Sequence, residues 1–261
     1  MSRALYIAAT GMRAQQLNID VVANNLANVN TAGFKRSRAD FQDLLYQVVT
    51  PAGVSSSQGS EIPTGIALGY GSKPAAVQKL FTVGDMQPTD QPLDLAIEGD
   101  GFFQVTLANG EIGYTRAGSF KQDSSGQICT SEGNVLSSNI TIPPDGGILS
   151  VLPDGTVTVK PQGQPETQIG NIQTARFLNP AGLQAIGHNL YSETTASGAS
   201  ILGTPGNEGY GTIMQGFIEL SNVSIVDELV NMIVGQRAYE INSKAIQTAD
   251  DMMRVATDLK R

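Results

Sequence analysis

The residues with the greatest capacity for chemistry in this sequence are its single histidine and its single cysteine, His188 and Cys129. A catalytic thiol needs a neighbouring base that keeps it ionised. The two residues lie far apart in the sequence, and His188 stands between Gly187 and Asn189 in a region with strand and turn signals. We therefore expect Cys129 to be a buried, unreactive thiol and His188 to be a surface or hydrogen-bonded residue.

Two glycine-rich stretches are candidates for a phosphate site and for an acid–base site. The stretch GYGSK at 69–73 resembles a phosphate-binding loop, but it lacks the Walker spacing and Pro74 follows it. The stretch IEGDG at 97–101 offers two carboxylates, but its glycines favour a tight turn. No zinc spacing, metal-ligand cluster or paired-acid motif stands out in the sequence. We therefore expect no catalytic, cofactor-binding or metal-binding residues, and we expect the protein not to be an enzyme.

The strongest pattern is a long amphipathic helix predicted over residues 3–29. Its apolar side chains recur at heptad spacing, and a second row follows three residues behind: Leu5, Met12, Ile19 and Leu26, then Ala8, Gln15, Val22 and Val29. Narrow rows of this kind are typical of a coiled-coil seam rather than of a wide core stripe. Asn24 and Asn28 share a face near the helix end, with Asn25 beside them. We expect these amides to fix the register of a contact.

A second amphipathic helix is predicted at the other end of the chain, where Ser224 and Asp227 match a capping box. Its apolar positions recur at three- and four-residue steps: Val226, Val230, Val234, Ala238, Ile241, Ala245, Thr248, Met252, Val255 and Leu259. This spacing is that of a heptad seam with one stutter. We expect the two seams to come together and the remaining apolar surface to bind neighbouring subunits. The alternative is an ordinary α+β protein with both helices packed on its sheet.

Between the helices the sequence predicts an arm and then a β domain. The arm, within residues 44–71, is rich in turn formers, and its candidate functional residues are Tyr46, Gln47, Pro63, Gly65 and Gly69. From residue 75 onwards, short alternating runs are separated by the hairpin signals Asn109-Gly110 and Pro153-Asp154-Gly155.

These patterns together predict an α+β fold that is mainly β. The predicted fold has paired terminal amphipathic helices, an extended arm and an antiparallel β domain. The predicted domains are 1–30 plus 222–261 for the helical assembly domain, 31–74 for the arm, and 75–221 for the β-rich outer domain with its return linker.

Composition narrows the function classes. The 261 residues carry a net charge of −8, which argues against a nucleic-acid binder. The charge is uneven: residues 1–42 carry +3, residues 43–220 carry −10 and residues 221–261 carry −1. Near-neutral helices with apolar seams are typical of a buried assembly surface. A single cysteine excludes an intrachain disulfide, and the sequence indicates neither a secretory signal nor a membrane span.

Three motifs resemble the bacterial flagellar rod and hook protein family. They are VANNLANVNT followed by GFK within 22–35, IEGDGFF at 97–103 with YTRAGSF at 114–120, and SNV at 221–223 leading to QRAYE at 236–240. The resemblance implies a structural subunit of the basal body that forms a hollow helical tube of its own copies. It implies export by the flagellar type III apparatus, and it implies proximal rod proteins, the hook protein and outer ring (bushing) proteins as partners.

Two alternatives remain open at this point. One is a hook-type flexible joint built on the same architecture. The other is a monomeric, β-rich periplasmic binding protein or hydrolase with ordered helical ends. For the arm, the turn-rich composition suggests the hypothesis that it bridges axially adjacent subunits and locks the tube straight.

Overall fold

The computed structural model describes residues 3–51, 64–138, 140–143, 147–161, 165–207 and 209–258. Within them, two long helices stand at the ends of the chain and short strands fill the middle, which confirms the predicted α+β, mainly β class. The predicted functional residues Pro63 and Leu259 lie outside the described residues.

The chain folds into two compact units, each made of several segments. Unit 1 comprises Met1–Leu26, Ser37–Gln78 and Ser224–Arg261, and unit 2 comprises Ala27–Arg36 and Lys79–Val223. The arm segment thus groups with the helices, and the short segment after the first helix groups with the β domain. The three-part division drawn from the sequence stays a prediction.

The boundaries of both helices of unit 1 lie close to those predicted from the sequence. Helix α1 runs over Arg3–Ala27 and α2 over Ile225–Asp258. Helix α1 ends two residues before the predicted Val29, because a turn follows in which Thr31 N–H donates to Asn28 O at 3.1 Å. At the start of α2, the Ser224 Oγ accepts a hydrogen bond from Asp227 N–H at 3.4 Å, as the capping motif predicts.

The two helices pack antiparallel through glycines. A Cβ added at Gly11 would lie 3.0 Å from the Asn242 amide, and one added at Gly235 would lie 3.1 Å from the Ile19 side chain. The row of α2 turned toward α1 therefore has heptad spacing but consists of small and polar residues: Glu228, Gly235, Asn242 and Ala249. Small side chains let the two backbones approach closely, which selects this row for the contact.

This packing corrects the prediction that the apolar seams of the two helices face each other. Val226, Val230, Val234, Ile241, Met252 and Val255 are each more than half exposed, Ala245 is exposed and Ala238 is half-buried. The helical period was read correctly, but periodicity alone cannot tell which of two stripes meets the partner helix.

Besides the two helices, the described part of unit 1 contains four strands that form two ribbons. Strand β1 (Ser37–Asp43) pairs with β4 (Ser72–Lys79), and β2 (Tyr46–Thr50) pairs antiparallel with β3 (Ile66–Gly69). In the second ribbon Tyr46 lies opposite Gly69. This β2–β3 ribbon is the base of the predicted arm.

Unit 2 contains the remaining strands and a short 3₁₀ helix at Pro180–Gly182. The strands are β5 (Met86–Pro88), β6 (Leu95–Glu98), β7 (Phe102–Thr106), β8 (Ile112–Thr115), β9 (Lys121–Gln122), β10 (Ile128–Cys129), β11 (Val135–Leu136), β12 (Gly147–Val151), β13 (Thr156–Pro161), β14 (Thr167–Asn171), β15 (Thr174–Arg176), β16 (Gln184–Gly187), β17 (Leu190–Ser192), β18 (Ile201–Gly203), β19 (Thr212–Gln215) and β20 (Phe217–Glu219).

The main sheet of unit 2 has the order β16-β17-β8-β7-β11-β10-β9, with β15 joining β7 to β18. Strands β12-β13-β14 form a second sheet, and β19–β6 and β20–β5 form two ribbons. Both predicted hairpins are confirmed: β7 pairs with β8 around Gly110, and β12 pairs with β13 around Gly155. Each of these glycines has a positive φ, which the tight turns require.

Two apolar clusters hold unit 2 together. The larger one includes Leu95, Ile97, Phe103, Val105, Phe120 and Ile213. The other is built around the buried rings Phe102, Tyr114, Phe177 and Tyr191. Ring centroids in this aromatic cluster lie 4.8–6.1 Å apart in edge-to-face pairs, the arrangement that aromatic quadrupoles favour.

Candidate assembly surface and buried ionic cluster

The predicted interface residues of α1 are only partly available at the surface. Leu5, Met12, Ile19 and Leu26 are half-buried, Asn24 is exposed, Asn28 is half-buried and Asn25 is buried. The seam of α1 is therefore largely used inside unit 1.

The Asn25 side chain forms hydrogen bonds with the backbone of β1, a contact that the sequence did not predict. Its Nδ2 donates to Ser37 O and its Oδ1 accepts from Ser37 N–H, both at 2.9 Å. The amide thus pairs with both backbone groups of the first residue of β1, as a neighbouring strand would. This contact fixes the position of β1 against the end of α1 within one chain. A role of the three amides in contacts between subunits stays a prediction.

The start of α2 carries a continuous apolar surface. Six of the ten residues from 225 to 234 are large apolar residues that are 44–71% exposed: Ile225, Val226, Leu229, Val230, Ile233 and Val234. We call these six residues the α2 apolar face. Single exposed apolar residues are ordinary, but a contiguous patch marks a surface that binds something.

The predicted arm residues lie along the β2–β3 ribbon and beyond its end. Tyr46 is exposed and lies against Gly69, and the Gln47 side chain accepts a hydrogen bond from Tyr70 Oη at 3.0 Å. Gly65 is exposed just before β3. The ribbon also exposes large apolar side chains: Val48, Val49, Ile66 and Leu68. Val48 pairs with Ala67, whose side chain points away from those of Ile66 and Leu68, so each face of the ribbon carries an exposed apolar side chain.

A buried ionic cluster in unit 2 is the most unusual chemistry of the molecule. The Glu219 carboxylate is fully buried and accepts hydrogen bonds from Lys35 Nζ at 2.5 Å, from Gly84 N–H at 2.9 Å and from Arg116 Nη1 at 3.5 Å. Lys35 Nζ also donates to Thr82 O at 2.7 Å. The cluster joins β20 to the segment after α1 and to the end of β8.

The protonation equilibria of the two cations reflect this burial. Burial lowers the pKa of the Lys35 ammonium, and the attraction of Glu219 opposes that shift. Burial also lowers the pKa of the Arg116 guanidinium, and Glu219 and Asp100 oppose it. A buried charge is tolerated only where partners replace its hydration, so Glu219 stabilises both cations at once.

Backbone contacts of the segment 27–36 surround this cluster. Gly33 N–H donates to Glu219 O at 2.8 Å, and Asn189 Nδ2 donates to Ala32 O at 2.9 Å. The Asn222 amide accepts from Arg36 N–H at 2.7 Å and donates to Leu80 O at 2.8 Å. Hydrogen bonds from four residues of this segment therefore hold it to the rest of unit 2: Ala32, Gly33, Lys35 and Arg36.

Gly33 is required for the close approach of this segment. Its φ is +69°, and an added Cβ would lie 2.4 Å from Ala117 N. A larger residue would clash with backbone that cannot move aside, in addition to the strain of a positive φ.

The ionic cluster was missed in the sequence. Lys35 and Arg116 stand inside two of the motifs that carry the family resemblance, but neither was predicted to be buried or paired. A buried aromatic residue stands just before each of them: Phe34 precedes Lys35 by one residue, and Tyr114 precedes Arg116 by two. These aromatic neighbours were the only local sign that the two cations are buried. Nothing in the local sequence of Glu219 pointed to the contact.

The other chemical candidates have structural environments consistent with inert roles. Cys129 is buried, its Sγ donates to Lys121 O at 3.5 Å, and burial raises the pKa of its thiol. His188 is exposed, and its Nδ1 lies against the Glu132 carboxylate. Across the part of the chain that the structure describes, no group of three or more His, Cys, Asp and Glu residues could hold a metal ion, and neither helix is long and apolar enough to cross a membrane.

Burial in the aromatic cluster leads to a prediction about alkaline titration. Burial raises the pKa of the Tyr191 and Tyr114 hydroxyls above their ordinary value of 10.0. We expect phenolate absorbance of the folded protein to rise in two phases, with the later phase reduced in Tyr191→Phe. Since the folded-state pKa of Tyr191 is the raised one, its contribution to stability is complete below pH 10 and is lost as the pH rises further. The same titration in denaturant gives one phase, and a single phase in the folded protein would contradict the prediction.

Comparisons with known proteins cover the whole chain. Three family models match: a flagella basal body rod protein model at residues 5–35, a flagellar hook protein FlgE/F/G D1 domain model at 96–159, and a flagellar basal body rod FlgEFG protein C-terminal model at 214–259. The ionic cluster thus draws one residue from the region of each model: Lys35, Arg116 and Glu219.

Relatives of two kinds are similar to this chain. The flagellar basal-body rod protein FlgG of Borreliella burgdorferi is 50% identical over 100% of both chains, and that of Caulobacter vibrioides is 49% identical over 99% of both. The flagellar hook protein FlgE of Helicobacter pylori is 42% identical over 52% of this chain and 19% of its own length.

Proposed function

Since the chain belongs to the family of flagellar basal-body rod proteins FlgG, we propose that its copies assemble helically into the hollow, rigid distal rod. The protein is a structural subunit of the flagellar basal body. In our proposal it transmits torque from motor to hook, lets exported subunits pass through its lumen and catalyses no reaction. The rod is favoured over the hook because similarity to rod proteins runs the full length of both chains, whereas similarity to the hook protein covers about half of this one.

The α2 apolar face is the observation that carries this proposal. Burying one Val, Leu or Ile side chain stabilises a contact by ~1.5–3 kcal/mol, so six such side chains are a strong driving force for association. The face is one surface of unit 1. In our proposal it binds a different surface of the next copy, and such a heterologous contact generates an open helical polymer when its rotation does not close into a ring.

The proposed partners follow from the place of such a rod in the flagellum. We expect contacts with proximal rod proteins, the hook protein and the outer ring (bushing) proteins, and export by the flagellar type III apparatus without a cleaved signal. The acidic charge of residues 43–220, net −10, suits a solvated outer surface in the periplasm-spanning part of the basal body.

Hydrogen exchange tests the proposed assembly. We expect the amides at the start of α2, residues 225–234, to gain strong protection when the protein is concentrated until it sediments as polymer, because the α2 apolar face is exposed in the monomer. The exchange of the unit 2 core, for example around Phe103 and Val105, serves as the internal control and stays unchanged. Equal protection of both helices in monomer and polymer would reject the proposal in favour of a self-contained monomeric binding protein.

The arm is the second part of the proposal. The β2–β3 ribbon exposes apolar side chains on both faces, which supports a role in bridging axially adjacent subunits. We expect deletion of residues 53–65 to leave the monomer folded but to yield curved or flexible rods, measured by electron microscopy. A glycine–serine segment of equal length separates the effect of sequence from that of length. Rods of the deletion variant that are straight and equally stiff would contradict this role.

A further inference from the structure

An open apolar groove of about 420 Å³ lies in unit 1, between α1 and the base of the β2–β3 ribbon. Two leucines and two tyrosines line it: Tyr6, Leu44, Leu45 and Tyr70. The Leu45 side chain is 85% exposed and the Tyr6 side chain is 51% exposed. Large apolar side chains that line a concave surface and remain in water mark a site for an apolar partner.

The walls of this groove are fixed within the monomer. Tyr70 N–H donates to Leu45 O at 3.2 Å, which joins the two sides of the ribbon base. Ser72 N–H donates to Thr10 Oγ1 at 3.4 Å, which ties the ribbon base to α1. The rings of Tyr6 and Tyr70 meet edge to face with their centroids 6.4 Å apart. Because the groove is already formed, a partner can bind without first ordering it.

The α2 apolar face lies too far along the helix to fill the groove of its own copy. Gly11 of α1 packs against Asn242 of α2, and the helices are antiparallel. Tyr6 therefore lies level with about residue 247 of α2. Val230, at the centre of the α2 apolar face, is about 17 residues before that level, which corresponds to about 25 Å along the helix. Any contact between this face and this groove must join two copies of the chain.

The charges beside the two surfaces are opposite. Arg3 lies one turn before Tyr6 on the same side of α1, Lys73 follows Tyr70 by three residues, and both cations are exposed. Asp227 is exposed in the first turn of α2, among the residues of the α2 apolar face. Opposite charges around an apolar contact orient the partners, whereas two α2 apolar faces brought together would place like charges side by side.

We propose that the groove receives the α2 apolar face of a second copy of this chain. The inference rests on the proposed helical assembly and assigns the surface that the α2 apolar face binds. Val226, Val230 and Ile233 stand at the i, i+4, i+7 spacing with which a helix lays one line of side chains into a groove. Each copy carries one face and one groove at separate places in unit 1, so it binds two different neighbours and the series of contacts continues head to tail.

Cross-linking within the polymer tests this pairing. Leu45→Cys and Val230→Cys are combined in one chain, and the sedimented polymer is treated with a short bismaleimide. We expect a ladder of covalent trimers and longer products, because each copy is linked to two neighbours. Each single variant is a control that stays monomeric on a denaturing gel, since like positions do not meet, and the native chain checks that the buried Cys129 does not react.

The outcomes separate this inference from the proposed function. A polymer of the double variant that gives no ladder beyond the products of the single variants would overturn the inference and leave helical assembly standing. A native chain that forms no polymer at any concentration would reject the proposed function, and the inference with it.

A charge placed in the groove gives an independent readout. We expect Leu45→Asp to raise the concentration at which the protein polymerises at least tenfold, with thermal unfolding of the monomer unchanged. Leu178→Asp is the matched control, because Leu178 is 88% exposed on unit 2 and the chemical change is identical. Polymerisation of Leu45→Asp at the native concentration, or equal effects of the two variants, would contradict the role of the groove.

Discussion

Replacing Glu219 by glutamine is expected to lower the free energy of unfolding of unit 2 by about 3–5 kcal/mol, the usual cost of breaking a buried ion pair from one side. The substitution preserves size and one acceptor oxygen but removes the negative charge. Lys35 would then remain buried without a counter-charge and Arg116 with that of Asp100 alone, in positions where burial already lowers the pKa of both groups. Such a loss is a large fraction of the stability of most domains.

Urea unfolding followed by circular dichroism measures this effect. Glu98→Gln is the matched control, because Glu98 is an exposed residue of the same unit and the chemical change is identical. We expect that control to change stability by less than about 0.5 kcal/mol, as surface substitutions usually do. Equal effects of the two substitutions would show that the ionic cluster contributes nothing specific.

A double-mutant cycle separates the Lys35–Glu219 contact from the rest of the cluster. Lys35→Met removes one buried cation and keeps an apolar stem of similar length. We expect the combined loss in Lys35→Met with Glu219→Gln to be smaller than the sum of the single losses, because the glutamine variant no longer leaves Lys35 unpaired. Strict additivity would mean that the 2.5 Å contact carries no coupling energy.

Replacing Val230 by aspartate is expected to abolish polymerisation while leaving the monomer folded. Val230 is 53% exposed at the centre of the α2 apolar face, so the monomer loses little by the change. In a polymer the same position would place a charge in an apolar contact, which costs the burial of valine and adds desolvation of the carboxylate. We expect at least a tenfold rise in the critical concentration, which corresponds to ~1.4 kcal/mol per subunit.

Sedimentation over a concentration series measures this change, and thermal unfolding of the monomer checks that the fold is retained. Gln236→Asp is the control, since Gln236 is an exposed residue of the same helix outside the apolar face. We expect it to polymerise at nearly the native concentration. If both aspartate variants lose assembly to the same degree, charge on α2 in general is responsible and the α2 apolar face is not the interface.

Features that depend on neighbouring residues could be predicted from the sequence. The heptad rows predicted both terminal helices, Ser224 predicted the start of α2, and the Asn-Gly and Asp-Gly dipeptides predicted two hairpins that the structure contains. Each of these signals acts over a few residues, because helix and turn geometry is set by local hydrogen bonds and φ angles. The motifs were likewise sufficient for the family.

Which side of α2 meets α1, and where the buried charges lie, depends on the packing of the whole chain and could not be predicted from local patterns. Two stripes on α2 have helical spacing, and the choice between them depends on how closely Gly11 and Gly235 let the two backbones approach. Lys35 and Glu219 are 184 residues apart, and no local pattern encodes a contact over that distance. Periodicity shows that a helix has an apolar side, but packing across the whole chain determines which side is covered and which is left for a neighbour.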